Sequence, residues 1–136
     1  MKTHISLQTS DLGASVAFYK TLLQQEPAKY YGDYAFFVAD DPQLELAINH
    51  VSEIISSDDA HYGIAVDNAQ SVEAAVARLR AGRYRTDIEI EETCCYAKQT
   101  KVWTRDPDGR RWEVYTVHEE TGQRDDPNGT CCTGAV

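Results

Sequence analysis

The chain carries one order of elements twice, and this internal repeat restricts its fold more than any other feature. HISLQTSD at 4–11 aligns with HYGIAVDN at 61–68, which puts His4 and His61 at the same point of their strands. QLELAINH at 43–50 aligns with RRWEVYTVH at 110–118, pairing Glu45 with Glu113 and His50 with His118. The later pairs are spaced more widely than the first, which predicts an insertion within the second copy. Two copies related by a pseudo-twofold axis bring matching residues towards that axis. His4, His61, Glu45 and Glu113 are therefore expected to converge, although they are distant in the chain.

Local patterning supports the repeat. Residues 3–9 alternate as a strand, and Ser10 or Asp11 caps a helix running to about Gln25, with Val16, Ala17, Leu22 and Leu23 on its apolar side. Pro27 ends that helix. Two strands at 34–39 and 43–49 flank the turn Asp40-Asp41-Pro42. After a polar connector at 51–59, a strand begins at His61. Asn68 or Ser71 caps a helix through Arg80, and Gly82 terminates it. A charged alternating strand at 84–92 reads as a sheet edge. Strands at 97–104 and 111–117 then surround the turn Asp106-Pro107-Asp108-Gly109. The predicted fold is α+β: two βαβββ modules, about 1–50 and 60–118, in a single domain over 1–118. Residues 119–136 are polar and rich in Gly, Pro and charge, and read as a mobile tail.

A length of 136 residues suits one domain with a proper core. The net charge of −9 argues against nucleic acid or an anionic membrane surface as partner, since both call for a basic face. No signal-peptide pattern opens the chain, so a cytoplasmic location is expected, with monomer and homodimer both open. The four cysteines form two adjacent pairs, Cys94–Cys95 and Cys131–Cys132. Adjacent cysteines bridge each other poorly, and free thiols are expected.

Two neutral imidazoles and one carboxylate leave a divalent metal with net positive charge and open coordination positions. This is the arrangement used for Fe(II) that binds substrate and O₂ together, and the same set also accepts Zn, Ni or Mn. On residue type alone, His4 and His61 also read as ordinary strand-end histidines and Glu113 as a solvated strand residue. The repeat register weighs against that. Glu45 reads as a fourth ligand, as an acceptor orienting a ligand histidine, or as a solvated glutamate. Cys94 and Cys95 in an extended strand face opposite sides, so chelation of one thiophilic atom by both requires a bend. The pair is accordingly placed in a loop before the hairpin, with Lys98 and Lys101 nearby to favour thiolates.

The paired β-α-β-β-β units, with His on the first strand of each and Glu on the last, resemble the vicinal oxygen chelate superfamily of glyoxalase I, extradiol dioxygenases and fosfomycin-resistance proteins. The segments TCCYAKQTKVWTRDPDGRRWEVYTV and FYKTLLQQEPAKYYGDYAFFVAD more narrowly resemble the organoarsenical carbon–arsenic lyases and cadmium-induced proteins. That resemblance covers about residues 1–118. It implies a glyoxalase-like open barrel around a metal cavity. It also implies a non-haem Fe(II), O₂-dependent enzyme acting on methylarsenite and aromatic arsenicals. His4, His61 and Glu113 would be its metal ligands, and Cys94 and Cys95 its arsenic-binding pair. Glu45 falls where glyoxalase I enzymes supply a further ligand that the lyases are not expected to use. The competing expectations are a glyoxalase-like metalloenzyme and a non-catalytic protein binding cadmium or arsenite.

Overall fold

The computed structural model describes residues 2–54, 61–94 and 97–120. The chain forms two compact units, Met1–Ser57 with Asp106–Gly109, and Asp58–Arg105 with Arg110–Val136. The expected tail, with Cys131 and Cys132, lies outside the described residues apart from its first two positions, which extend the last strand.

The first unit contains β1 (Thr3–Thr9), α1 (Leu12–Leu23), β2 (Lys29–Tyr30), β3 (Tyr34–Asp40) and β4 (Gln43–His50). Its sheet runs β1-β4-β3-β2, with β1 parallel to β4 and the other pairs antiparallel. Only the parallel pair needs a crossover, and α1 lies within it. Asp11 is the residue that caps α1, its Oδ1 accepting from the Ala14 amide at 3.0 Å. The helix closes at Gln24, whose φ of 52° is left-handed. Leu12, Val16, Phe18, Tyr19, Leu22 and Leu23 are buried. Ala17, expected on the apolar side, is exposed, because the 3.6-residue period turns it away from that stripe. Ala35, Phe37 and Ala39 alternate inward on β3, as do Leu44, Leu46 and Ile48 on β4.

The turn Asp106–Gly109 belongs to this unit by its contacts. Tyr19 donates its hydroxyl to Asp106 Oδ2 at 2.7 Å, and both residues are buried. Gly109, with φ of 89°, closes the turn by donating its amide to the Asp106 carbonyl.

The second unit repeats the order: β5 (His61–Ala65), α2 (Ala69–Ala81), β6 (Asp87–Cys94), β7 (Ala97–Arg105) and β8 (Arg111–Glu120). Its sheet runs β5-β8-β7-β6, again with the first pair parallel, and β6 is the expected edge strand. Asn68 caps α2, accepting from the Ser71 amide at 2.9 Å. Gly82 ends the helix but not by a left-handed turn: its φ is −81°, and Arg83 takes the positive φ. Glycine is required at 82 for room, since a Cβ there would meet the Tyr84 ring at 2.6 Å.

Register separates the copies. His4 lies directly across from Glu45, whereas Glu113 lies across from Gly63, and His61 sits two residues earlier opposite Arg111. A two-residue step keeps His61 on the same face as Gly63. The repeat therefore preserves which face each residue takes, not which residue opposes which.

Candidate metal centre

In the second unit the centre begins with an absent side chain. Gly63 faces Glu113 across the β5–β8 pair, and a Cβ at 63 would lie 3.0 Å from Glu113 Cγ and 3.1 Å from Tyr115 Cε1. The Glu113 side chain therefore lies over Gly63, towards His61. His61 Nε2 stands 3.8 Å from Glu113 Oε2, too long for a hydrogen bond. The His61 ring meets Trp103 edge-to-face, centroids 5.2 Å apart. Trp103 is fully buried and is the cross-strand neighbour of Glu113 on β7.

Lys101 completes the cluster. It is 2% exposed, with Nζ 3.7 Å from Glu113 Oε2, an ion pair rather than a hydrogen bond. The ammonium also lies 5.4 Å from the Trp103 ring centre and 5.9 Å from that of Tyr115. Burial pushes the Glu113 carboxyl above the ordinary carboxylate range, and Lys101 partly offsets that push. The His61 imidazole is held below its usual value, by burial first and then by the charges of Arg111 and Lys101. The site thus sets a neutral imidazole 3.8 Å from a buried carboxyl group.

This donor set fits a divalent cation. Two N/O donors of one such ion, each about 2.0–2.2 Å from it, can stand no more than about 4.3 Å apart. The 3.8 Å separation lies inside that limit, and a neutral imidazole offers its lone pair without first losing a proton.

In the first unit His4 Nδ1 and Glu45 Oε1 are 3.2 Å apart, and both side chains are substantially exposed. Engagement of Nδ1 by a carboxylate leaves Nε2 free as a ligand atom, the orienting role considered for Glu45. Among the described residues, no group of three or more His, Cys, Asp and Glu side chains is gathered to hold a metal ion. The structure thus brings together His61 with Glu113, and His4 with Glu45. Cys94 is the last residue of β6, paired with Ala97, so it belongs to a strand rather than to the expected loop before the β7–β8 hairpin. Cys95 lies outside the described residues.

Sequence reasoning passed over Gly63 and gave Lys101 to the thiols rather than to Glu113. Counting pairs outward from the Asp106–Gly109 turn was the available signal, because it sets Trp103 opposite Glu113 and Lys101 opposite Tyr115.

Two βαβββ units of this topology define a glyoxalase-like α+β protein. The chain belongs to the Glyoxalase/Bleomycin resistance protein/Dioxygenase superfamily, whose pattern matches residues 3–114. It is 36% identical to cadmium-induced protein CadI of Mycobacterium bovis (strain ATCC BAA-935 / AF2122/97), over 99% of this chain and 95% of that one. It is 35% identical to a trivalent organoarsenical cleaving enzyme of Bacillus sp. (strain MD1), over 95% of this chain and 81% of the relative. Among solved structures, a glyoxalase/bleomycin resistance protein/dioxygenase from Alicyclobacillus acidocaldarius shares the fold. Its TM-score is 0.69 at 16% identity, covering 88% of this chain and 92% of the other. No helix among the described residues is long and apolar enough to cross a membrane.

Proposed function

We propose that this protein cleaves the carbon–arsenic bond of trivalent organoarsenicals, such as methylarsenite and aromatic arsenicals, in an Fe(II)- and O₂-dependent reaction that yields arsenite. The observation that carries this reading is the near-full-length similarity to a trivalent organoarsenical cleaving enzyme. It is supported by the adjacent thiols and by the donor chemistry of His61 and Glu113.

His61 and Glu113, with His4, are the proposed iron ligands, and Cys94 and Cys95 the proposed arsenic ligands. Trivalent arsenic takes both thiols as thiolates, each As–S bond replacing an As–OH bond, with the thiol proton and the hydroxide leaving as water. Iron held by these residues supplies the redox chemistry that activates O₂. The chain's own residues prepare the ground for it. Burial keeps water off the Glu113 carboxylate. Gly63 leaves that side chain its room, and Trp103 packs against the His61 ring. Desolvation holds His61 neutral and able to donate its lone pair. Holding the arsenical on two thiolates fixes its organic group in place before reaction.

A second reading, stoichiometric sequestration of cadmium or arsenite by the thiols, is favoured by the 36% identity to a cadmium-induced protein. One experiment separates the two. Protein loaded anaerobically with Fe(II) is given methylarsenite and then O₂. Arsenite release with O₂ consumption, abolished in Cys95→Ser and in His61→Ala, is the expected result. Tight binding without O₂ uptake, indifferent to His61→Ala, would assign the protein to sequestration.

A further inference from the structure

We propose that Lys101 is the resident counter-cation of Glu113, so that an incoming divalent ion must share this carboxylate with a buried ammonium. The inference rests on the assignment of Glu113 as a metal ligand. Lys101 is 2% exposed, and its ion pair with Glu113 Oε2, at 3.7 Å, is the only one it makes among the described residues. Its ammonium also lies near the rings of Trp103 and Tyr115, which stabilise a cation but accept no proton from it, and Glu89 is its cross-strand neighbour on β6, with no ion pair formed between them. Glu113 is equally confined, its side chain 8% exposed. Each charge compensates the other where water cannot.

The oxygen that faces Lys101 is also the one that faces His61 Nε2, at 3.8 Å. A divalent ion ligated there meets a fixed positive charge on its own carboxylate ligand. Lys101 therefore acts in two directions. It stabilises the protein without metal, by keeping a buried carboxylate compensated. It weakens the hold on metal by repulsion at short range. It is a positioning residue for Glu113 rather than a ligand.

The test measures Co(II) binding by its visible absorption, and the melting temperature of chelator-stripped protein with and without Co(II). Lys101→Met, close in shape and uncharged, is expected to bind Co(II) about tenfold more tightly or better. Stripped of metal it melts below the wild type, and Co(II) raises its melting temperature by more. Lys101→Arg, which keeps the charge, stays close to wild type in affinity. Lys101→Gln repeats the neutral arm should the Met variant fail to fold. Equal affinity in wild type and neutral variants overturns the inference and leaves Glu113 as a ligand. Loss of binding confined to the neutral variants also overturns it, since Lys101 would then be needed for the site. If the wild type itself binds no Co(II), the ligand assignment and the inference fall together.

Discussion

Replacing Gly63 by alanine tests whether the backbone at that position is what places Glu113. The added methyl would sit 3.0 Å from Glu113 Cγ, 3.1 Å from Tyr115 Cε1 and 3.4 Å from Glu113 Oε1. Comfortable carbon contacts begin near 3.5 Å, so both side chains must retreat by about 0.5 Å. Overpacking of this kind costs about 1–3 kcal/mol. Restricting the unfolded chain returns about 0.4–1 kcal/mol of that. The net expectation is a loss of about 1–2 kcal/mol in urea denaturation, with an unchanged m-value. The larger effect falls on metal, because the displaced group is the carboxylate itself: affinity for Fe(II) or Co(II) falls by about 10–100-fold. Gly82→Ala is the control. Its Cβ would strike the Tyr84 ring at 2.6 Å, away from the site, so it should lose stability without losing metal affinity. Unchanged metal affinity in Gly63→Ala, or an equal loss in both variants, would refute the reasoning.

Other outcomes follow from the same contacts. Tyr19→Phe removes the hydroxyl that Asp106 accepts in a buried site and should cost about 1.5–3 kcal/mol in denaturant titration. Asp11→Ala removes the α1 cap and should cost about 1 kcal/mol by the same measurement. In chelator-treated protein, burial lowers the His61 pKa, so below about pH 6.5 the unfolded chain takes up that proton more readily than the folded one. The stability contributed by neutral His61 is present above that pH and is lost as pH falls through the folded value. His61→Ala should therefore show a smaller stability difference between pH 7.5 and pH 5.5 than the wild type.

Much of the architecture was legible because the repeat is written into the histidines near the start of each unit's first strand, the glutamates on its last strand and the cap residues Asp11 and Asn68. The turn Asp106–Gly109 was legible from its chemistry, since a left-handed residue before a strand calls for glycine. The offset between the copies was not. Sequence alignment matched His4 with His61, while hydrogen-bond register set His4 against Glu45 and Gly63 against Glu113. Slips of two residues conserve facing, so a hydrophobic pattern does not detect them. Gly82 does terminate α2, but it serves there as a packing glycine; composition does not distinguish freedom of φ from lack of volume. Lys101 was the larger surprise. A lysine between Thr100 and Val102 on a strand reads as solvated, and only pairing across β7 and β8 reveals a buried ammonium beside a buried acid.

The central claim is that Glu113 is a metal ligand in an arsenical-cleaving site, and Glu113→Gln addresses it with the least change in shape. Anaerobic Fe(II) titration of the wild type and this variant is the measurement, with arsenical binding to the thiols followed in the same samples. Loss of Fe(II) affinity by about a hundredfold or more, with arsenical binding intact, is the predicted result. Fe(II) affinity equal to that of the wild type would contradict the account.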